Sequence, residues 1–431
     1  TVTSQIGFEA LIYGKPVKCF GAPFYSGWGL TEDVLPSAGR RENVSLEQLV
    51  YAVLVKYPKY RDPETGERTT ADKIVEYVGF QRMMRFRFPE KIYAYGFSKW
   101  KQPILKSFTQ GSEVIFIKQL SKMPCRATLL VWGSKELGRI DLSINVVRVE
   151  DGFLRSVGLG GELIRPQSWV FDQVGIYYDS RKPSQLENLL NVKRFEKSEL
   201  NQADRLIQII NDNKISKYNL GDSDFSIDSC GEEIALVIGQ VEGDASIRFS
   251  TTKINTNLKL LKIVRANFPN AYIVYKPHPD IVAGIRRKGV HSNLEKEFYD
   301  YKVESGDAIT LFDSVDTVHT MTSLTGFEAL IRKKKVYTYG KPFYAGWGLT
   351  NDLMNFKSRS RVLSLSKLVY GALVCYPSYI SSNSKMYSSP ESVIGEIILA
   401  KEKGVEPRSF KRKIIRDLMR LWAQSKFRNN A

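Results

Sequence analysis

The sequence predicts an α/β protein in which two Rossmann-type domains face a cleft, preceded by the C-terminal remnant of a second such module. Short apolar runs rich in β-branched residues alternate with helical segments, which is the pattern of a parallel sheet with crossover helices. The polar stretch "NDNKISKYNLGDSDFSIDSCGEE" separates these segments into two groups. A long repeat near the two ends of the chain indicates the additional remnant.

The repeat begins at the first residue. The chain opens "TVTSQIGFEALIYGKPVKCFGAPFYSGWGLT", and from Thr320 it reads "TMTSLTGFEALIRKKKVYTYGKPFYAGWGLT". The two copies match without a gap from Thr1/Thr320 to Tyr60/Tyr379, at a constant offset of 319 residues. A repeat of this length indicates a module of domain size. We therefore expect the chain to start inside an upstream module of which only the last part is present.

The alternation of elements gives the expected boundaries. They are 1–80 for the remnant, 81–105 for a linker, 106–227 and 228–400 for the two Rossmann-like domains, and 401–431 for a basic C-terminal helix or tail. The tail, which includes "FKRKIIRDLMRLW", reads either as a membrane-surface helix or as a terminal helix packed on its domain.

Composition narrows the class of protein. The 431 residues are 43% apolar, which is more than one compact core usually holds. There is no apolar run of membrane-spanning length and no signal peptide, and the four cysteines are scattered, so we expect a cytoplasmic protein without disulfides. The net charge of +17 predicts a polyanionic partner, either a phosphorylated substrate or an anionic membrane. Nucleic acid is disfavoured because the basic residues are dispersed and no nucleic-acid-binding motif is present.

Two of the predicted strands end in carboxylates. "VVRVEDGFLRS" runs into Glu150 and Asp151, which could divide acid and base roles or could form a turn with an N-cap aspartate. "IALVIGQVEGDASIRF" is followed by Gln240 and Asp244. Asp244 is a candidate nucleophile or electrostatic stabiliser, and the alternative is a solvated loop.

A third strand end carries cationic side chains. In "AYIVYKPHPD", Lys276 and His278 each precede a proline, which holds them in extended conformations. A lysine and a histidine presented in this way suit a phosphate or a phosphodiester. The alternative is a structural histidine.

The fourth strand end precedes a helix. In "HTMTSLTGFEAL", Thr322, Ser323 and Thr325 lie at the start of a helix that includes Glu328. Hydroxyl groups and unpaired backbone N–H groups at a helix N-terminus bind phosphate. The alternative is a plain helix cap, for which one hydroxyl would suffice.

Motifs of other classes are absent from the sequence. It contains no GxxxxGK[ST] and no HExxH, and no metal-ligand spacing relates the three histidines and four cysteines. We therefore expect no cofactor and no metal ion.

The segments "VEDGF", "GQVEGDASI", "YKPHPD" and "TSLTGFEAL…PFYAGWGLT", in that order, resemble the capsule polysaccharide biosynthesis family of retaining β-Kdo glycosyltransferases. The resemblance implies a GT-B fold, with 106–227 as the acceptor domain and 228–400 as the CMP-sugar donor domain. It also implies two tandem modules that transfer β-Kdo from CMP-β-Kdo to a Kdo-bearing lipid of the phosphatidylglycerol type, building a poly-Kdo linker for capsular polysaccharide. The chain departs from that plan because most of the first module is missing, so only the second site, associated with β2,7 linkage, can be complete.

The resemblance also implies roles for particular residues. Asp151 would be the acid/base supported by Glu150, and Asp244 would be the nucleophile. The donor-binding residues would be Gln240, Lys276, His278, Ser323, Thr325 and, at the ribose, Glu328. Retention requires two carboxyl groups, and cationic or helix N-terminal contacts could stabilise the CMP leaving group without a metal.

The expected partners are CMP-Kdo, the lipid-linked Kdo acceptor, the cytoplasmic surface of the inner membrane and the capsule export machinery. The sequence leaves two alternatives open. One is a transferase of the CMP-sialic acid type, and the other is a non-catalytic carbohydrate- or nucleotide-binding capsule assembly protein.

Overall fold

The computed structural model describes residues 1–35, 39–40, 42–158, 164–219, 233–286, 289 and 291–403. The chain divides into two compact units, Thr1–Met83 and Met84–Ala431. The predicted basic tail lies outside the described residues from 404 onward, as does the predicted domain boundary at 227/228. Within the described ranges, no helix is both long and apolar enough to cross a membrane.

The first unit is a small mixed assembly around one apolar cluster, which includes Phe8, Leu11 and Tyr25. Its elements are α1 (Ile6–Ile12), β1 (Lys18–Cys19), β2 (Glu32–Asp33), α2 (Leu46–Val50) with a π-helical continuation (Tyr51–Lys56), β3 (Tyr60–Arg61), β4 (Arg68–Thr69) and all but the last two residues of α3 (Ala71–Arg85). Strands β1 and β2 pair in parallel, and β3 pairs with β4 antiparallel. Ser45 starts α2 in a capping box with Gln48, which satisfies two backbone N–H groups.

The second unit contains two sheets. Its strands are β5 (Lys91–Tyr95), β6 (Glu113–Ile117), β7 (Thr128–Trp132), β8 (Asn145–Asp151), β9 (Ser168–Asp172), β10 (Ile234–Ile238), β11 (Tyr272–Lys276), β12 (Tyr301–Lys302), β13 (Thr317–Thr320), β14 (Lys335–Thr338), β15 (Asn351–Asp352), β16 (Pro377–Ile380) and β17 (Tyr387–Ser388). Its α-helices are α4 (Gln102–Phe108), α5 (Gln185–Val192), α6 (Lys197–Asp212), α7 (Ala245–Ser250), α8 (Asn257–Asn267), α9 (Pro279–Val282), α10 (Leu324–Ile331), α11 (Leu365–Val369) and α12 (Pro390–Glu402). Tyr370–Cys375 continues α11 as a π-helix.

The first sheet has the order β17-β16-β9-β8-β7-β5-β6. Strands β5 to β8 are parallel, and β9, β16 and β17 extend the sheet in antiparallel pairs. Three of these strands correct the expected boundaries. Strand β5 lies inside 81–105, the predicted linker, yet it pairs with a strand on each side. Strands β16 and β17 lie inside 228–400, the predicted second Rossmann-like domain, but they belong to the first sheet. The order of elements along the sequence does not show that late strands return to the first sheet, because strand pairing joins segments that are distant along the chain.

The second sheet has the order β12-β11-β10-β13-β14-β15, and all its strands are parallel. Every residue of β10 is buried, which explains its unbroken apolar run "IALVI". One core cluster joins the two sheets, since it contains Val170 of β9 together with Leu236 of β10 and Leu190 of α5. The carboxyl ends of β8, β10, β11 and β13 carry the four motifs selected from the sequence.

The repeat seen in the sequence is also a repeat of structure. At the same offset of 319 residues, α2 corresponds to α11, its π-helical continuation to Tyr370–Cys375, β2 to β15, and β4 to β17. Helices α1 and α3 likewise correspond to α10 and α12. The correspondence therefore extends beyond the sixty residues that match in sequence.

Candidate active site

Asp151, at the end of β8, is a fixed and ionised carboxylate. It accepts hydrogen bonds from Arg155 Nε and Trp169 Nε1, each at 3.0 Å. Burial raises its pKa, but the positive charges of Arg155, Lys101 and Lys217 outweigh burial, so that the pKa is below the usual value. With one donor on each oxygen, Asp151 suits electrostatic stabilisation better than proton transfer.

The pKa of Glu150, the preceding residue, is shifted in the opposite direction. Burial, followed by the negative charge of Asp151, raises its pKa to about 7, although Lys101 opposes this. The Tyr178 hydroxyl donates to its Oε2 at 3.4 Å. A carboxyl group that titrates near neutral pH suits general acid/base chemistry. The raised pKa makes Glu150 a second candidate for the acid/base role, and the role expected of Asp151 stays a prediction.

Asp244 follows β10 at the N-terminal end of α7. Its side chain is exposed and accepts one hydrogen bond, from Ser246 Oγ at 3.1 Å. The pKa of Tyr178 is raised by burial, then by Glu150, with a smaller contribution from Asp244. Asp244 also contributes to the pKa of His278, behind burial, Asp280 and Lys217. These interactions place Asp244 near groups from both sheets.

His278 presents one ring nitrogen as a donor. Its Nδ1 accepts the backbone N–H of Asp280 at 3.1 Å, so that in the neutral ring the proton is on Nε2. Burial lowers its pKa more than the charge of Asp280 raises it. At neutral pH, His278 is therefore an uncharged donor at the carboxyl end of β11.

The start of α10 carries a cap and a further hydroxyl. Ser323 Oγ accepts the backbone N–H of Thr325 at 3.2 Å, as an N-cap does. The Thr325 hydroxyl has no hydrogen-bond partner among the described residues, and its side chain is half-buried. The backbone amides and this hydroxyl are the groups that could contact an anion.

The Gln240 side chain bonds to the loop that precedes α10. Its Oε1 accepts the backbone N–H of Thr322 at 2.8 Å, and its Nε2 donates to the Thr322 hydroxyl at 3.0 Å. Both polar atoms of the side chain are therefore already bonded to the loop before α10. Gln240 positions that loop, and a direct contact with substrate stays a prediction.

Lys276 and Glu328 also have protein partners. Lys276 Nζ donates to the carbonyl oxygen of Ser305 at 2.7 Å, and burial lowers the pKa of this lysine to about 8. Glu328 Oε1 accepts the backbone N–H of Lys217 at 2.7 Å, and burial raises the pKa of Glu328 to about 7. Glu328 thus holds the segment between the two sheets, while its predicted ribose contact and the phosphate contact of Lys276 stay predictions.

Lys217 is a functional candidate that sequence reasoning missed. Its charge acts on Glu150, Asp151, His278 and Glu328, which belong to both sheets. Its ammonium has no hydrogen bond or ion pair within the described ranges. Burial lowers its pKa, but Tyr218 and Asp151 raise it by more, so it stays charged. Its position in the polar stretch between two domain patterns is the one signal that could have identified it.

Lys101 was missed as well, because it lies in the segment expected to be a linker. Burial lowers its pKa, and the charges of Asp151 and Glu150 oppose this. Pairwise electrostatic interactions thus connect Lys101 to Glu150 and Asp151, Lys217 to both of these and to His278, and His278 to Asp244. Among the described residues, no three His, Cys, Asp or Glu side chains are grouped to hold a metal ion.

Comparisons with known proteins agree with this picture. A family model described as "Capsule polysaccharide biosynthesis protein" matches residues 1–60, 138–228 and 226–379. The capsule polysaccharide modification protein LipA of Neisseria meningitidis serogroup A is 40% identical over 422 residues, covering 94% of this chain and 60% of LipA. The lipopolysaccharide-processing protein LpsZ of Rhizobium meliloti is 37% identical over 337 residues, covering 74% of this chain and 76% of LpsZ. The chain thus spans about 60% of the length of LipA.

Two solved structures are similar in fold and sequence. The β-Kdo 2,7 transferase of Thermosulfurimonas dismutans KpsC is 39% identical with a TM-score of 0.62, covering 72% of this chain and 100% of that one. The β-Kdo 2,4 transferase of the same protein is 31% identical, also with a TM-score of 0.62, covering 73% and 99%. These similarities confirm the predicted GT-B-like fold of Rossmann-type domains.

Proposed function

This chain belongs to the capsule polysaccharide biosynthesis family, and from that premise we propose that it transfers β-Kdo from CMP-β-Kdo to a Kdo-bearing lipid acceptor. Its structural similarity to two Kdo transferases supports glycosyltransferase activity. In this proposal the acceptor is of the phosphatidylglycerol type and the product is the poly-Kdo linker of capsular polysaccharide. The 2,7 linkage is proposed because the 2,7 transferase shares more sequence with this chain.

The observation that carries the proposal is the unequal ionisation of two adjacent carboxyl groups. Asp151 is held ionised by Arg155 and Trp169, whereas the pKa of Glu150 is about 7. A retaining transferase that uses double displacement requires one carboxylate that attacks and another group that moves a proton. Environments that separate the pKa values of neighbouring carboxyl groups are typical of such sites.

We assign the attacking carboxylate to Asp244. Its side chain is exposed and makes one hydrogen bond, whereas both oxygens of Asp151 are already bonded. In the first step an Asp244 oxygen bonds to the anomeric carbon, and the electron pair of the breaking C–O bond goes to the CMP phosphate. In the second step Glu150 takes the proton of the acceptor hydroxyl, whose oxygen displaces Asp244 from the anomeric carbon.

Groups of the second sheet would bind the leaving phosphate. His278 offers Nε2–H, Thr325 offers its hydroxyl, and the N-terminus of α10 offers backbone N–H groups. The Lys217 ammonium adds a positive charge on the side of the carboxylates. Together these donors would stabilise the charge that develops on CMP. A reaction that uses them without a divalent cation should proceed unchanged in EDTA.

Product analysis tests the proposal. With CMP-Kdo and a synthetic Kdo-terminated acceptor, we expect acceptor-dependent CMP release, and NMR of the product should show a new β2,7 linkage. Transfer from CMP-sialic acid alone would favour the sialic-acid-type alternative. Binding of CMP without any release would favour a non-catalytic role.

The Asp244→Ala variant tests the assignment of the nucleophile. We expect transfer to be abolished while CMP binding, measured calorimetrically, is retained. Mass spectrometry of the wild-type protein with donor alone should detect a covalent sugar adduct that is missing from the variant. Normal turnover of Asp244→Ala would remove this residue from the mechanism.

The lipid acceptor implies action at the cytoplasmic face of the inner membrane, with the capsule export machinery as a further partner. The basic tail could contribute to membrane attachment. Binding to vesicles that contain phosphatidylglycerol should weaken in a chain that ends at Glu406. Undiminished binding would reject a membrane role for the tail.

A further inference from the structure

A group of cationic and aromatic side chains lies beside Glu150 on the first sheet. It is built at the carboxyl ends of the adjacent parallel strands β5, β7 and β8. Gly96 follows β5 and Gly133 follows β7, with φ of +84° and +63°. These left-handed conformations suit glycine, and both glycines also give room to neighbouring groups.

The space at each glycine is occupied by groups of the site. A Cβ at Gly133 would lie 3.2 Å from the Tyr178 hydroxyl and 3.4 Å from Glu150 Oε2. A Cβ at Gly96 would lie 2.6 Å from Cδ of Lys135, so the absence of a side chain there lets Lys135 pass. The two glycines therefore bring Lys135 and Glu150 to the same edge of the sheet.

Lys101 and Trp132 complete the group. Lys101 Nζ lies 3.0 Å from the ring centre of Trp132, which is half-buried at the end of β7. The Lys101 ammonium has no hydrogen-bond acceptor and no ion pair within the part of the chain that the structure describes. The positive charge of Lys135 acts on Lys101, and so do the negative charges of Asp151 and Glu150.

Two ammonium groups of like charge lie near aromatic rings at this edge of the sheet, Lys101 at Trp132 and Lys135 with its Nζ 6.0 Å from the ring centre of Tyr95. Their mutual repulsion favours a bound anion. A partly buried ammonium without an acceptor is costly, and an anionic ligand would remove that cost. Trp132 holds the Lys101 ammonium in place through the cation–π contact. Glu150, on the same edge, is the group that would take a proton from a sugar hydroxyl.

We infer that Trp132, Lys101 and Lys135 form a subsite for an acceptor sugar that bears a carboxylate. The inference deepens the proposed function and rests on it. The acceptor is favoured over the donor sugar because the phosphate-binding groups, His278 and Thr325, belong to the second sheet, whereas this group belongs to the first. In the subsite the acceptor carboxylate pairs with the ammonium groups while one of its hydroxyls faces Glu150.

The test compares Lys101→Ala with Lys99→Ala. Lys99 is exposed in the same loop, so its variant removes the same charge outside the subsite. For Lys101→Ala we expect the KM for a Kdo-terminated acceptor to rise about 10- to 100-fold, as for the loss of a charge-assisted hydrogen bond. The KM for CMP-Kdo should stay unchanged, and Lys99→Ala should behave as wild type. Thermal melting checks folding, and Lys101→Gln replaces the alanine variant if that one does not fold.

An acceptor whose carboxylate is converted to a carboxamide sharpens the test. For wild type, the KM for the carboxamide acceptor should exceed the KM for the carboxylate acceptor by the same 10- to 100-fold factor. For Lys101→Ala, the two KM values should be equal. A higher KM for CMP-Kdo in place of the acceptor, or equal effects on both acceptors, would overturn the inference.

Direct binding separates this inference from the proposed function. Calorimetry with the methyl glycoside of Kdo, without donor, should show binding to wild type and to Lys99→Ala but not to Lys101→Ala. If this holds while no CMP-sugar supports transfer, the subsite stands and the proposed function fails. If transfer occurs but Lys101→Ala binds the glycoside as wild type does, the subsite is wrong.

Discussion

The two copies of the repeat have the same local structure in different surroundings. In the first copy the Tyr25 hydroxyl donates to the carbonyl of Ser4 at 2.5 Å, and in the second Tyr344 donates to Ser323 at 2.5 Å. Asp33 accepts the N–H of its loop glycine at 2.7 Å, and the equivalent distance at Asp352 is 2.8 Å. These contacts join residues within the copy, so each copy specifies them by itself.

The two copies differ in how deeply equivalent residues are buried. Phe20 is 56% exposed, whereas its counterpart Tyr339 is 4% exposed. Glu9 is exposed, whereas its counterpart Glu328 is buried and bonded to the N–H of Lys217. The second copy packs on β10 and β13, and the first unit, as far as it is described, contains no equivalent sheet. The repeat therefore specifies a helix and a loop, but a site forms only where a sheet and a second domain add their groups.

The largest expected effect follows from placing the chemistry in the second unit. Glu150→Gln should lower kcat about 10²- to 10⁴-fold, because the proton acceptor is lost. In wild type, kcat/KM for the acceptor should rise with pH through an apparent pKa of about 7, since the ionised form acts as base. Steady-state transfer assays between pH 5 and 9 measure both the rate loss in Glu150→Gln and the pH dependence of wild type. Glu136→Gln, at an exposed glutamate, is the control, and an unchanged rate in Glu150→Gln would contradict the assignment.

The next effect uses the pair Glu328 and Glu9. The pKa of Glu328 is raised to about 7 by burial, so its stabilising contribution is full below the unfolded pKa of 4.5 and is lost as pH rises through 7. Across this pH range, the free energy of unfolding of wild type should fall by up to about 3 kcal/mol relative to that of Glu328→Gln. Denaturant unfolding at several pH values measures the difference. Glu9→Gln, at the exposed counterpart, is the matched control, and a similar trend in both variants would contradict the comparison.

A matched pair of glycines gives a smaller effect that should be equal in both copies. A Cβ at Gly7 would lie 2.3 Å from the Tyr25 hydroxyl oxygen, and one at Gly326 would lie 2.2 Å from that of Tyr344. Either alanine substitution should cost about 1–3 kcal/mol by overpacking. Calorimetric unfolding should show the loss in the unit that carries the substitution, and only Gly326→Ala should reduce transfer. A loss in one copy alone would show that their local packing differs.

The smallest effect concerns the hydroxyl at the start of the helix. Thr325 stands where the first copy has Ile6. Thr325→Ile should weaken CMP binding about 10-fold, as expected for one hydrogen bond to a charged group, without a change in melting temperature. Ile6→Thr should leave CMP affinity unchanged, because the first copy as described lacks the surrounding groups. Calorimetric titration with CMP compares the two, and equal affinities for wild type and Thr325→Ile would remove the hydroxyl from the site.

Much of the molecule could be predicted from the sequence. The repeat, the alternation of strands and helices, and the placement of polar residues at strand ends depend on neighbours in the chain. They led correctly to the fold class and to the family. The caps of α2 and α10 follow from the same local rules, since a serine oxygen reaches an N–H two or three residues away.

Only the tertiary structure decided which carboxyl group titrates near neutral pH. Glu150 and Asp151 are adjacent in sequence, yet Arg155, Lys101 and Lys217 lower the pKa of Asp151, while burial raises that of Glu150. Likewise, the structure showed that Gln240 and Lys276 already bond to protein groups, and that β5 and β16 belong to one sheet. Local patterns select residue types and strand ends. Burial and charge depend on segments that meet only when the chain folds.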